Sequence, residues 1–261
     1  LLTKMHTIQI GPHTGDDPFV EFFSSKHEEI KKCLIVEALS SSLDICKNTY
    51  EKRFTKDKLN KISFINKAIV EDPTVDFIDF FYPKGEHEND GQIKYTAFSS
   101  TCKNHLISHG VKDIEKKEVP AITLSKLFKE QGFKKVDRLY LDAEGLDAKI
   151  ILSLDLKEID IPFICFEASH TDGAFTREET AVEVFKFLTD HNYGIYSFFH
   201  KIDNQMDWNW WAIKDNDEEL AKDIVEFGGH KTKVKSQDSI LVQVFDSSTS
   251  SKNHQLAVKC L

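Results

Sequence analysis

Thr7-Ile8-Gln9-Ile10-Gly11-Pro12-His13-Thr14-Gly15-Asp16-Asp17 decides the fold: a short apolar run empties into a glycine loop, and two aspartates close the loop ahead of a second apolar stretch. The apolar run predicts a buried strand, and a helix is expected to begin at the two aspartates. A glycine at position 11 lets the chain turn sharply as it leaves the strand. Gly15, without a Cβ, predicts a loop pressed against a flat or charged ligand, with helix-opening N–H groups aimed at it. The next apolar run, Cys33-Leu34-Ile35-Val36, ends in Glu37, 26 residues beyond Gly11. In a βαβ unit that carboxylate arrives beside the same ligand and can bind a ribose diol. The stretch therefore predicts a nucleoside-cofactor site.

Further strands are expected over Lys61–Ile69, Val75–Tyr82, Val119–Ile122, Arg138–Asp142 and Pro162–Glu167, and later over Tyr193–Phe199, Trp210–Ile213 and Ser239–Val244. Helical spacing joins Phe19, Val20, Phe22, Phe23 and Ile30, covers Ser41–Arg53, and recurs over Arg177–His191; Thr123 caps a helix over Leu124–Gln131. Strands alternating with helices predict an α/β, doubly wound and mainly parallel sheet with helices on both faces. All 261 residues are read as a single domain, with 83–118 a loop-rich insert and about 200–261 a C-terminal extension or cap. In such sheets ligands bind outside the carboxyl ends of the strands, where Gly11–Gly15, Glu37, Asn66–Ala68, Asp142–Glu144 and Glu167–His170 converge.

Composition narrows the class. A net charge of -9 argues against general nucleic-acid or anionic-membrane binding, and no apolar run approaches the ~18 residues of a membrane span. Five cysteines without CxxC spacing predict reduced thiols rather than a disulfide frame or zinc site. With no signal-peptide pattern at the start, a cytoplasmic location is expected.

The loop discriminates between cofactors. A dinucleotide fingerprint needs G-x-G-x-x-G, but His13 stands where the middle glycine belongs, and Asp16 and Asp17 would oppose a pyrophosphate. A cationic sulfonium tolerates those carboxylates, which favours S-adenosylmethionine (SAM), with S-adenosylhomocysteine as product. Three pieces then show a resemblance. Ile8–Asp16 resembles the D-I-G-A-N-x-G-D/E loop of the FkbM family of SAM-dependent methyltransferases. Val36-Glu37-Ala38 resembles its E-P after the second strand, and Leu139–Asp147 (Leu-Tyr-Leu-Asp-Ala-Glu-Gly-Leu-Asp) resembles its K-I-D-V-E-G-x-E signature. Phe166–His170 is similar to the strand end that comes next in the family, and Ala68-Ile69 and Ile122-Thr123-Leu124 fall where the family has A-I/A-V and T-L-D. Gln9 replaces the usual Asp, Pro12-His13 replaces Ala-Asn, Ala38 replaces Pro, and Ser125 replaces the Asp of T-L-D.

The resemblance implies SAM-dependent O-methyl transfer to a hydroxyl of a sugar, glycan or secondary metabolite. The expected cofactor-binding residues are Gln9, Gly11, Pro12, His13, Gly15, Glu37, Ala38, Ala68 and Asp142; Asp142, Glu144 and His170 are the candidate catalytic residues. Asp142 and Glu144 can act as general base, position the methionine ammonium or cap the helix near Gly145. His170 is read equally as a base or a surface loop histidine, and Asp147 as a first-turn helix charge. Asp142, Glu144, Glu167 and His170 can also form an oxygen-rich divalent metal site, although no metal is expected. Two other readings stay open: a metal-assisted hydrolase built on those acids, and a SAM-binding protein that has lost catalysis. The Trp208–Trp211 stretch is read as core or lobe seam before acceptor platform. Acceptor identity and oligomeric state are not legible.

Overall fold

The computed structural model describes residues 4–84, 99–167, 178–200, 205–214, 229–236, 239–244 and 254–258. Strand β1 (Met5–Ile10) leads through the glycine loop to helix α1 (Pro18–Lys26), then β2 (Ile30–Glu37), α2 (Ser40–Arg53), the short α3 (Lys56–Leu59) and β3 (Ile62–Asn66). Next come β4 (Ala68–Val70), β5 (Phe77–Pro83), α4 (Lys103–Ser108) and β6 (Ile114–Thr123). The chain continues as α5 (Leu124–Gln131), β7 (Arg138–Leu141), α6 (Asp147–Leu152), β8 (Phe163–Glu167) and α7 (Glu178–Asp190). Beyond them lie β9 (Tyr193–His200), β10 (Gln205–Lys214), β11 (Gly229–Ser236), β12 (Ser239–Val244) and β13 (His254–Val258).

The main sheet runs β13-β12-β11-β9-β10-β8-β7-β1-β2-β3. Its centre, β8-β7-β1-β2-β3, is parallel throughout, and from β8 outward every pairing is antiparallel. Chain order reverses at β1: β2 and β3 lie on one side, β7 and β8 on the other. The crevice over that reversal is where a doubly wound sheet binds its ligand.

Alternating side chains on the central strands feed two separate cores. Ile8 and Ile10 of β1 with Leu34 and Val36 of β2 pack towards α5, α6 and α7, while Cys33 and Ile35 pack with Phe19, Phe23, Cys46 and Tyr50 of α1 and α2. Helices therefore cover both faces, as a parallel sheet buried on both sides requires. α1 begins directly after the two aspartates, as expected, and the structure adds its cap: Asp17 Oδ1 accepts from Phe19 N–H (2.7 Å), and Pro18 occupies the first turn. α5 is likewise capped by Thr123 Oγ1 accepting from Lys126 N–H (3.2 Å).

Several expectations are revised. Ile30 belongs to β2, not to the first helix; a turn over His27–Glu29 separates them. The single strand expected over 61–69 is split at Lys67, so that Ala68 opens β4 in a second sheet of order β4-β6-β5. Within 83–118 lie α4 and the first half of β6, whose charged Glu115–Glu118 run is the solvent side of an antiparallel ladder with β5. β11 and β13 are strands that the sequence pattern does not announce. Trp210 and Trp211 pack against Phe185 and Phe163, with ring centroids 4.8 and 5.9 Å apart. The described cysteines 33, 46, 102 and 165 are all thiols. Among the described residues no helix is long and apolar enough to cross a membrane.

Candidate functional site

A cavity of about 660 Å³, open to solvent, lies over the carboxyl ends of β1, β2 and β7. Gly11, His13, Glu37, Ala38, Ala68 and Asp142 line it, together with Glu144. The arm β4-β6-β5 contributes Ile69 and Phe80, and the segment before α4 contributes Ser99 and Thr101.

The floor requires Gly11. Its φ is +71°, and a Cβ there would lie 1.8 Å from the Asp142 carbonyl oxygen. Gly11 N–H donates to Val36 O (3.0 Å) and Asp142 N–H to Ile10 O (3.2 Å), so the loop is stitched to both neighbouring strand ends. His13 comes next at φ +50°, a left-handed conformation costly for a side-chain-bearing residue.

Glu37 is buried at the end of β2. Its Oε2 accepts from His13 N–H (3.2 Å) and its Oε1 from Leu39 N–H (2.9 Å). Burial outweighs these hydrogen bonds and pushes the carboxyl up to about 7. Asn66 Nδ2 donates to the carbonyls of Glu37 (2.9 Å) and Ala38 (2.8 Å), fixing the chain where β2 turns into α2.

Gln9, Pro12 and Gly15, expected at the cofactor, do not line this cavity. Gln9 is 6% exposed and donates Nε2–H to Asp17 Oδ2 (2.6 Å), so it steadies the α1 cap. Desolvation raises the Asp17 carboxyl, and the Gln9 hydrogen bond opposes that shift. Pro12 is buried and its carbonyl accepts from Gly15 N–H (2.8 Å). Gly15, at φ +72°, faces α2: a Cβ there would meet Cys46 Sγ at 2.7 Å and Tyr50 at 3.0 Å. Its missing side chain makes room for a helix rather than for a ligand.

Past β7 the chain turns through Asp142-Ala143-Glu144-Gly145, with Glu144 at φ +46° and Gly145 at +103°. Asp147 heads α6, as expected, but it is fully buried and its Oδ2 accepts from Ala143 N–H (3.1 Å), which holds the turn closed. Burial, with Asp142 and Glu167 nearby, raises the Asp147 carboxyl well above the ordinary range. Carboxylate oxygens of Asp142, Glu144 and Glu167 gather within 4.8 Å of one another. One of the three is engaged by a residue with no mark in the sequence pattern: His105 Nε2 lies 2.7 Å from Glu144 Oε2. Burial first, then the charges of Asp142, Glu167 and Asp147, push Glu144 up to about 10. His170 lies outside the described residues, as does the 85–98 stretch, and Trp210 and Trp211 do not line the cavity.

Comparison with known proteins agrees with this architecture. The crystal structure of methyltransferase FkbM from Methylobacillus flagellatus matches 80% of this chain and 44% of its own, at 8% identity and TM-score 0.50. The M. capricolum TrmK structure, in complex with S-adenosyl-homocysteine, matches 82% of this chain and 64% of its own, at 12% identity and TM-score 0.40. The chain thus spans less than half the length of the first of these proteins and less than two thirds of the second. No curated protein sequence matches it. The model of the methyltransferase FkbM domain matches residues 9–195, from the end of β1 into β9, and the chain belongs to that methyltransferase family.

Proposed function

We propose that this chain binds SAM in the cavity over β1, β2 and β7 and transfers its methyl group to the hydroxyl oxygen of a small acceptor, a sugar or secondary metabolite. The observation that carries the reading is Glu37: a buried carboxylate at the end of β2, lining the cavity and facing the loop whose floor only glycine fits. A buried carboxylate with capacity left for two donors suits a ribose 2′,3′-diol. Asp142, just past β7 on the far side of β1 from Glu37, is placed for the methionine ammonium, and the apolar Ala38, Leu39 and Ile69 offer walls for an adenine ring. His13 and Ala68 complete the binding residues, and Gln9, Pro12 and Gly15 support the loop from behind.

Catalysis in this reading rests on alignment. The enzyme holds the acceptor oxygen in line with the methyl–sulfur bond and gives the hydroxyl proton a destination. Glu144 lines the cavity beside Asp142 and is the group for that proton. The remaining lining, Phe80 of β5 with Ser99 and Thr101, is in this reading left for the acceptor.

Calorimetric titration of the protein with SAM and S-adenosylhomocysteine tests the cofactor, and transfer of a labelled methyl group to a panel of glycosides and phenols tests the acceptor class. Micromolar binding with label in an acid-stable methyl ether is the expected result. Absence of binding by either nucleoside would refute the reading.

A further inference from the structure

Glu144 is gripped from two sides by the chain between β5 and β6. Ser100, fully buried, donates its hydroxyl to the Glu144 carbonyl and accepts from Cys102 N–H (2.9 Å). Ser100 is itself pinned to the arm: its N–H donates to Phe81 O (3.0 Å), and its carbonyl accepts from Phe81 N–H (2.8 Å). A few residues on, α4 delivers His105, 1% exposed, with Nε2 2.7 Å from Glu144 Oε2. The carboxyl end that meets the cavity is therefore backed by a buried imidazole, and the turn presenting it sits in a left-handed conformation at Glu144, stabilised by these contacts.

We propose that Glu144 and His105 form a proton relay, in which an acceptor hydroxyl passes its proton to Glu144 Oε1 while Glu144 Oε2 passes its own to His105 Nε2. The proposal rests on the methyl-transfer reading above. In the step, the acceptor oxygen forms a bond to the methyl carbon as the carbon–sulfur bond breaks, and the bonding pair stays on sulfur. The positive charge lost by the sulfonium reappears as the His105 imidazolium, so charge and protons balance. Glu144 is the group that meets the acceptor; His105 is a positioning residue that acts through it.

The surroundings favour a relay over a lone carboxylate base. A Glu144 carboxyl raised to about 10 keeps its proton at neutral pH and has no vacancy of its own. Burial is the main cause, and Asp142 beyond β7, Glu167 at the end of β8 and Asp147 on α6 add to it. Acidic surroundings of this kind also favour an imidazolium forming within them. Among the described residues His109 on α4 also packs on His105, ring centroids 4.5 Å apart.

The test is an NMR titration of the full chain labelled in its histidine rings, from pH 5 to 11. His105 is assigned by the signal lost in His105→Gln or, should that variant not fold, by through-bond correlation to the backbone. A neutral His105 ring at pH 7 is expected, with a shift change on the alkaline side as Glu144 releases its proton, and with that step abolished in Glu144→Gln. A His105 curve that is the same in the wild type and in Glu144→Gln, or a wild-type ring with no alkaline step, would overturn the relay. A parallel SAM titration keeps the two ideas apart: loss of SAM binding would sink the methyltransferase reading and leave the His105 result standing.

Discussion

Cofactor binding should expel a proton from Glu37, and the amount should follow pH. The free protein holds this carboxyl at about 7, because burial outweighs its hydrogen bonds from His13 and Leu39. A ribose diol adds two donors that only the carboxylate accepts in full, each worth about 1.5–3 kcal/mol as a charge-assisted hydrogen bond. Even one such bond lowers the bound pKa by roughly 1–2 units, since a unit is about 1.4 kcal/mol. Binding then releases roughly 0.4–0.8 proton at pH 6, a little under half at pH 7 and about 0.1 at pH 8. The sign comes from the carboxylate being the binding form: affinity is full above pH 7 and falls, by up to about tenfold per unit, as pH drops through it. Calorimetry with SAM in buffers of different ionisation enthalpy reads the proton count directly. Glu37→Gln should lose the pH dependence and bind on the order of 10- to 100-fold more weakly. A proton count that stays flat from pH 6 to 8, or that survives in Glu37→Gln, would refute the assignment of Glu37 to the ribose.

The same carboxyl makes the unliganded fold sensitive to base. Its folded pKa of about 7 exceeds the ordinary 4.5, so the folded state keeps a proton the unfolded chain has shed, and stability falls as pH rises between those values, by on the order of 3 kcal/mol. Glu144 and Asp147 are raised as well and push the same way, so thermal melts should show a higher Tm at pH 5.5 than at pH 8, with SAM protecting most at pH 8. Gly11→Ala and Gly15→Ala should differ in kind. Both strain a positive φ, but only Gly11→Ala drives a Cβ into the Asp142 carbonyl, so it should abolish SAM binding in whatever protein folds. Gly15→Ala meets the Cys46 and Tyr50 side chains; it should cost about 1–3 kcal/mol in urea unfolding and leave SAM affinity within about threefold. Thr123→Ala removes the α5 cap, which is not part of the cavity lining, and should cost about 1 kcal/mol, read as a shift in the urea midpoint at constant slope.

Which residues are legible from sequence depends on how their roles are set. Gly11, Glu37 and Asp142 end neighbouring strands of the parallel sheet, and a strand end is written in the local run of apolar residues that precedes it. Their meeting at one rim is then a consequence of the doubly wound topology, without knowledge of any side-chain contact. Gly15 shows where local reading stops: a missing Cβ announces a close approach but not the partner, and here the partner is α2, whose Cys46 and Tyr50 lie 31 and 35 residues away in sequence. Gln9 is similar: its hydrogen bond to Asp17 braces the α1 cap, a partner that its place before the glycine loop does not announce. His105 has no local signal at all. It sits in a polar stretch without sustained period, on a six-residue helix, and only the bridge from Phe81 to Ser100 and the turn at Glu144 bring it to the site. Residues on strand ends are positioned by the sheet, so their pattern repeats with the sheet. Residues that close the site from an arm are positioned by single long-range contacts, which leave no period in the sequence. The lining proposed here for the acceptor, Phe80, Ser99 and Thr101, is built in that second way, and any specificity it confers must be measured on the folded protein.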